Sequence, residues 1–229
     1  GDGIRLAESV GGAFNGHVSH PAAWMPISIR PGSKDYTGIW PHLVDRQKPG
    51  FILVMKDGKR FCDESSAYHD LVPMLIQASA SKEMARAEAW LIGDAAAVKK
   101  WGMGLARPFP IPHGEHIRSG YLKTAETLRE LAVICGIAPD GLEKTVENFN
   151  ASARQGSDPE FGRGGRVYDI YQGDPEHTPN PCLGPLDKAP FYAIKIEASE
   201  IGTFAGLRTD RNARVLDAEG NVIEGLYAV

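Results

Sequence analysis

Apolar positions recur with helical spacing at several places along the chain. Ile4, Leu6, Ala7 and Val10 share one face ahead of Gly11-Gly12, which predicts an opening helix and its stop. Ser81 to Trp101 mixes Ala, Leu and charged residues at helical spacing, with Asp94 placed to cap a short helix ending at Trp101. Thr127 to Glu130 has the form of a capping box, followed by the stripe Leu128, Leu131, Ala132 and Cys135 and a stop at Gly136. Pro139 to Arg154 repeats the pattern with Leu142, Val146, Phe149 and Ala153, and Gly156 lies beyond its end, so the two stretches predict a helical hairpin. Gly50 to Met55, an Asp57-Gly58 turn and Arg60-Phe61 predict a β-hairpin, and Phe191 to Ile196 predicts a strand. A second hairpin is predicted from Arg214–Asp217 and Asn221–Glu224 around Ala218–Gly220. Residues 22–49, 102–120 and 157–190 are rich in Gly and Pro and predict loops with at most short strands.

Composition narrows the class. The chain has 229 residues, 42% hydrophobic and 24% charged, which excludes a disordered, collagen-like or coiled-coil protein. A net charge of -4 gives no footprint for nucleic acid and no polybasic attraction to a membrane surface. No apolar run approaches the roughly 18 residues that a spanning helix needs. Cys62, Cys135 and Cys182 are odd in number and far apart, which argues against a disulfide framework and leads us to expect a reducing, cytoplasmic setting.

Most signatures of chemistry fail on context. Gly102-Met103-Gly104 and Gly162-Arg163-Gly164-Gly165 lack the strand before and the helix after that a dinucleotide fingerprint requires, and read as loops in which Arg163 and Arg166 are candidates to contact an anion. The pairs His17/His20 and His113/His116 stand beside Pro21 and Pro112 and lack a further ligand at metal spacing, so no metal is expected. No nucleophile elbow surrounds a serine, and Ser65-Ser66 beside His69 and Asp70 carries no hydrolase pattern. Gly58 to Tyr68 is more informative, because it gathers Arg60, Asp63, Glu64 and Tyr68 into one short segment. A phenol held there is a candidate general base, with a purely structural role at the edge of a core as the alternative.

Gly1-Asp2-Gly3, the stretch Gly58 to Tyr68, and Thr209-Asp210 through Arg214–Asp217 to Gly225–Ala228 occur in one order and together resemble the fumarate reductase/succinate dehydrogenase flavoprotein superfamily. Phe161–Gly164, Tyr168-Asp169, Gly173–Pro175, Pro179–Pro185 and Pro190–Ala193 are similar to its 3-oxosteroid dehydrogenase-like branch. The resemblance implies an α+β capping domain that closes over FAD, flanked by incomplete pieces of a Rossmann-like FAD-binding domain. On that basis residues 1–30 and 161–229 are expected to belong to the FAD-binding domain and 31–160 to the cap, and the chain is expected to be a piece of a longer protein.

The same resemblance assigns roles residue by residue. Asp2, Thr203, Phe204 and Ala205 fall at flavin-contacting positions, and His20, Ser65 and Gly202 at substrate-contacting ones. The reductases of the superfamily carry an Arg proton donor where this chain has Tyr68, and a substrate-binding His where it has Gly202. Both departures remove a cation that a dicarboxylate needs. In the steroid branch a Tyr at the position of Tyr68 removes a proton beside a ketone while hydride leaves for flavin N5. The resemblance therefore implies an FAD-dependent dehydrogenase or reductase of a C–C bond next to a carbonyl, acting on an apolar small molecule such as a 3-ketosteroid and passing electrons to an unassigned acceptor. Trp24, Tyr36 and Trp40 suit such a substrate. Oxidoreduction of C4 dicarboxylates, or a free-standing binding module, are the alternatives.

Overall fold

The computed structural model describes residues 2–229. Along the chain, α1 (Asp2–Ser9), β1 (Phe14–Asn15), β2 (Ala22–Ile29), β3 (Ile39–Pro41), β4 (Phe51–Val54), α2 (Tyr68–Ala80), β5 (Glu88–Gly93) and α3 (Ala95–Trp101) come first. They are followed by α4 (Gly114–Arg118), β6 (Lys123–Ala125), α5 (Leu128–Cys135), α6 (Pro139–Ala153), α7 (Val167–Gln172), β7 (Phe191–Thr203), β8 (Gly206–Leu207), β9 (Arg214–Leu216) and β10 (Val222–Tyr227). The chain divides into two units, one holding residues 24–199 and the other the residues up to 23 together with 200–229. Residues 161–199 thus pack with 24–160.

The larger unit is mixed α/β. Its sheet runs in the order β3-β2-β7-β5-β4, with β6 added along β7. Alternation along the central strands sends side chains to opposite faces. Ile52, Val54, Trp90, Ile92 and Ala193 pack with Leu131, Leu142, Val146 and Phe149 of α5 and α6. Phe51, Leu53, Leu91, Ile194 and Ile196 pack on the other face with Leu71 and Leu75 of α2 and Val98 of α3. Both faces are therefore dry, which explains why Phe51–Val54 and Ala89–Ile92 are unbroken apolar runs without a period of two. It also explains a correction: Glu88–Gly93, expected inside a helical stretch, is β5, paired antiparallel with β4 and β7.

The helical hairpin forms as expected. Thr127 Oγ1 accepts from Glu130 N at 3.1 Å, and Glu130 Oε2 accepts from Thr127 N at 3.1 Å. Gly136 closes α5 in the left-handed region at φ 69°. Asp94 caps α3 through Ala97 N at 2.9 Å. The Asp57-Gly58 turn also forms, with Met55 N donating to Lys59 O at 2.9 Å. Gly58 sits at φ 76°, and a Cβ there would collide with the backbone of Gly141 and Leu142. The expected return strand Arg60-Phe61 is absent, because Arg60 is drawn into a buried ionic cluster described below. Residues 22–49, expected as loops with short strands, contain the eight-residue β2, which tolerates Pro26 within the sheet. Residues 102–120 and 157–190 contain the short helices α4 and α7.

In the smaller unit α1 ends where Gly12 N turns back to Ala7 O at 2.8 Å. Ala7 is buried, but Leu6 and Val10, expected on the covered face, are 70% and 59% exposed. β1 pairs antiparallel with β8, and β9 with β10, the second hairpin expected from the sequence. The apolar end of β10 is half-buried to exposed rather than enclosed.

Candidate active site

The segment that leads into α2 is clamped by charge. Glu64 has no exposed surface and accepts from Arg60 Nε at 2.7 Å, Arg60 Nη2 at 2.6 Å, Arg163 Nη1 at 3.2 Å and Leu53 N at 3.1 Å. Arg60 also forks onto both oxygens of Asp158, at 2.8 Å each, and its guanidinium lies 5.0 Å from the ring centres of Phe149 and Phe161. Burial opposes the charge on Glu64, yet Arg60 and Arg163 more than offset it and hold its carboxyl below the usual value. Asp158 is held low by Arg60 in the same way, against its own burial. Bidentate geometry and full satisfaction are what make such a buried cluster tolerable.

Arg163 completes the floor. It is 1% exposed, donating to Phe51 O at 2.6 Å, Lys48 O at 3.0 Å and Ser65 Oγ at 3.2 Å. Arg163 was a candidate to contact an external anion, but every direction of its fork is spent on the protein. Arg166, also a candidate anion contact, pairs with Asp63 and Asp169 and reaches Ser66 Oγ at 3.0 Å. Arg46 donates to His42 O and to Glu64 O.

Asp63 accepts from Ser65 N at 2.7 Å. Burial, with a smaller contribution from the Asp169 carboxylate, pushes its carboxyl up to about 6 against the pull of the Ser65 amide and Arg166. A carboxyl raised on folding binds its proton more tightly in the native state than in the unfolded chain, where its value is about 3.9. Its contribution to stability is therefore full below about pH 4 and is lost as pH rises through about 6. Asp63→Asn, which keeps an acceptor for Ser65 N, should remove that loss. Urea denaturation of both proteins between pH 4 and 7 should show the difference in stability changing across this interval, and a constant difference would contradict the assignment.

The expected site residues now have places. Tyr68 is the first residue of α2 and half-buried. The imidazole of the next residue, His69, accepts from Trp24 N at Nδ1, 3.2 Å away. Ser65, expected to contact substrate, is fully buried, and its hydroxyl already accepts from Arg163. In the smaller unit Asp2 begins α1 and is exposed, as is His20. Phe204 N and Ala205 N both donate to Pro21 O, at 2.9 and 3.1 Å, so the segment Gly202–Ala205 is tied beside His20. Gly202 ends toward open space, since a Cβ there would meet nothing within 4 Å, and the same is true of Gly206. Thr203 is exposed and Phe204 is 59% exposed. Among the described residues this loop thus offers a flat aromatic side chain, a hydroxyl and uncrowded backbone, a surface that fits a planar ring system.

A second buried network escaped the sequence. Asp45 accepts from His42 Nδ1 and Gly104 N, His42 Nε2 meets Ser28 Oγ at 2.8 Å, and Ser28 Oγ meets Tyr121 OH at 2.6 Å. All four side chains are enclosed, so this Ser-His-Asp order fastens the 102–106 loop to β2 and offers no nucleophile to solvent. Cys62, Cys135 and Cys182 are free and buried, and burial raises each thiol, Cys135 to about 12. Among the described residues no group of His, Cys, Asp and Glu is placed to hold a metal ion, and no helix is long and apolar enough to cross a membrane.

Comparison with known proteins adds the chemical setting. The whole chain, residues 1–229, matches the family described as FAD binding domain. It is 40% identical over its full length to 4-oxocyclohex-2-ene-1-carboxylate 5-dehydrogenase of Sinomonas cyclohexanicum, of which it covers 38%. It is 36% identical over its full length to 3-oxosteroid 1-dehydrogenase of Mycobacterium tuberculosis, covering 40% of that protein. Among solved structures, 3-ketosteroid delta1-dehydrogenase of Sterolibacterium denitrificans, in complex with 1,4-androstadiene-3,17-dione, matches 99% of the chain with a TM-score of 0.88 and 36% identity, over 40% of its own length. A flavocytochrome c3 fumarate reductase shares the fold at a TM-score of 0.65 and 23% identity, over 99% of the chain and 33% of its own. The chain therefore spans about two fifths of the length of the curated relatives it matches.

Proposed function

Because the chain belongs to the FAD-binding domain family of flavoprotein oxidoreductases, we propose that it is part of an enzyme that dehydrogenates, or in reverse reduces, a C–C bond next to a ring ketone, with Tyr68 as the base. FAD is the cofactor of the family, and when bound it supplies the acceptor for a hydride. Asp2 and Thr203–Ala205 are the residues of this chain that would contact it, and the larger unit, carrying Tyr68, would be the cap. The phenolic oxygen of Tyr68, its own proton having passed to solvent, takes the proton from the carbon beside the carbonyl, while hydride leaves the adjacent carbon. The C–C pair becomes a double bond conjugated with the ketone, so proton, electron pair and new bond balance.

The observation that carries this reading is the setting of Tyr68. It is half-buried at the start of a 13-residue helix, directly after the segment that Arg60, Arg163 and Arg166 fix in place. Helix starts favour developing negative charge, and a base must be held within hydrogen-bond reach of its proton. A dicarboxylate is a poorer fit, because Tyr68 and Gly202 stand where the reductases use cations. The names of the relatives point to ring ketones, steroid or monocyclic.

The test is a substrate panel on the full-length protein with FAD and an artificial dye as acceptor. A 3-ketosteroid or a cyclohexanone carboxylate should bleach the flavin in a single turnover, and succinate should not. Bleaching by succinate alone, or by none of the three, would overturn the proposal.

A further inference from the structure

The face of the sheet turned away from α2 carries a cleft of ≈ 550 Å³ that the proposed reaction does not use. Its floor is the cross-strand pair Trp90 on β5 and Lys195 on β7, which stand directly opposite each other. Trp90 belongs to the apolar cluster under α5 and α6, whereas Leu71 and Leu75 of α2 belong to the cluster on the other side. Tyr68 and this cleft are thus served by opposite faces of one sheet. The walls are Ile29–Ser33 at the end of β2, Gly120–Tyr121 and Lys123, and Ile134 of α5.

The charges lining it are unbalanced. Arg30, Arg86, Lys123 and Lys195 face one carboxylate, Glu197. Lys195 is partly neutralised, since its Nζ lies 3.2 Å from Glu88 and 5.6 Å from the centre of the Trp90 ring. Arg30 reaches Glu115 at only 3.5 Å, outside the cleft. Arg86 and Lys123 have no ion-pair partner among the described residues. Concave walls of low dielectric concentrate the field of such cations. Ile29, Pro31 and Ile134 add apolar surface beside these cations, while Trp90 beneath is buried, so the cleft sets a cationic wall against a hydrocarbon one.

We propose that this cleft binds a small organic anion, a carboxylate joined to a flat apolar ring, with the carboxylate drawn by the cations of the cleft, Lys123 foremost because it has no ion-pair partner among the described residues, and the ring lying along Ile29, Pro31 and Ile134. The site is separate from the proposed reaction centre and stands whether or not Tyr68 is a base. Glu197 opposes the ligand from within the cleft, so its removal should improve binding.

The test is calorimetric titration of the full-length protein with naphthalene-2-carboxylate and with the uncharged naphthalene-2-carboxamide. The carboxylate should bind saturably, about fivefold or more tightly than the amide, and more weakly as salt is raised. Arg86→Gln with Lys123→Gln should weaken the carboxylate about fivefold or more and leave the amide unchanged. Glu197→Gln should tighten the carboxylate about twofold or more, a gain that damage to the fold cannot mimic. Equal affinity for acid and amide, no saturable binding, or a carboxylate affinity that neither variant moves would overturn the proposal.

Discussion

Tyr68→Phe in the full-length protein should slow reduction of bound flavin by a ketone substrate about 10²- to 10⁴-fold, the usual worth of a positioned general base. The substitution keeps the ring and removes only the oxygen, so the half-buried packing at the start of α2 is retained. Substrate affinity and flavin content should stay within about twofold of the parent, because a proton acceptor contributes to the transition state rather than to ground-state binding. A second readout separates chemistry from structure. In deuterated water the parent should exchange hydrogen at the carbon beside the carbonyl, and Tyr68→Phe should lose that exchange together with the hydride step. Flavin reduction at close to the parent rate, with affinity unchanged, would remove Tyr68 from the mechanism.

The sequence made some parts of this protein legible because their signals are local. The Thr127/Glu130 capping box, the Gly136 stop, the stripes of α5 and α6 and the Asp94 cap each lie within a few residues of the structure they specify. The Asp57-Gly58 turn was equally local, but its return strand was not, since Arg60 is claimed by Asp158, 98 residues away. β5 was hidden for a related reason. A strand buried on both faces loses its alternation, and Ala-rich neighbours lend it a helical look. β2 lay under Pro26 and the loop-like composition around it.

Candidate chemistry followed the same rule. Tyr68 was reachable through the Arg60–Glu64 segment and the family resemblance. The role of Arg163 was not, because a glycine-rich loop says nothing about the Phe51, Lys48 and Ser65 atoms that enclose it. The Asp45-His42-Ser28-Tyr121 network likewise draws its members from separate stretches of chain with no shared motif. Glu64 was visible as a member of a charged segment, but its fully buried state was visible only in three dimensions.

Glu64→Gln should cost about 3–5 kcal/mol of stability, the range for removing one partner of a buried ionic group. The four side chains Arg60, Arg163, Glu64 and Asp158 balance in charge, and each is at most 8% exposed. Glutamine preserves shape and an acceptor for Leu53 N, but it leaves one uncompensated cation with no water to solvate it. The melting transition should fall by roughly 6–20 °C, taking about 2–4 °C per kcal/mol for a domain of this size. Arg163→Met should be similarly costly, because Phe51 O and Lys48 O lose their donor. The double variant should lose less than the sum of the two, since each single change strands the charge that the other removes. Urea denaturation followed by tryptophan fluorescence supplies all three values. Strict additivity, or a loss below about 1 kcal/mol for Glu64→Gln, would mean that the cluster is solvated and that something else fixes the approach to α2. If the coupling is found, the stability of the cluster and the placing of Tyr68 have one cause, because the chain has only Ser65, Ser66 and Ala67 between Glu64 and the phenol, and two of those three are fully enclosed.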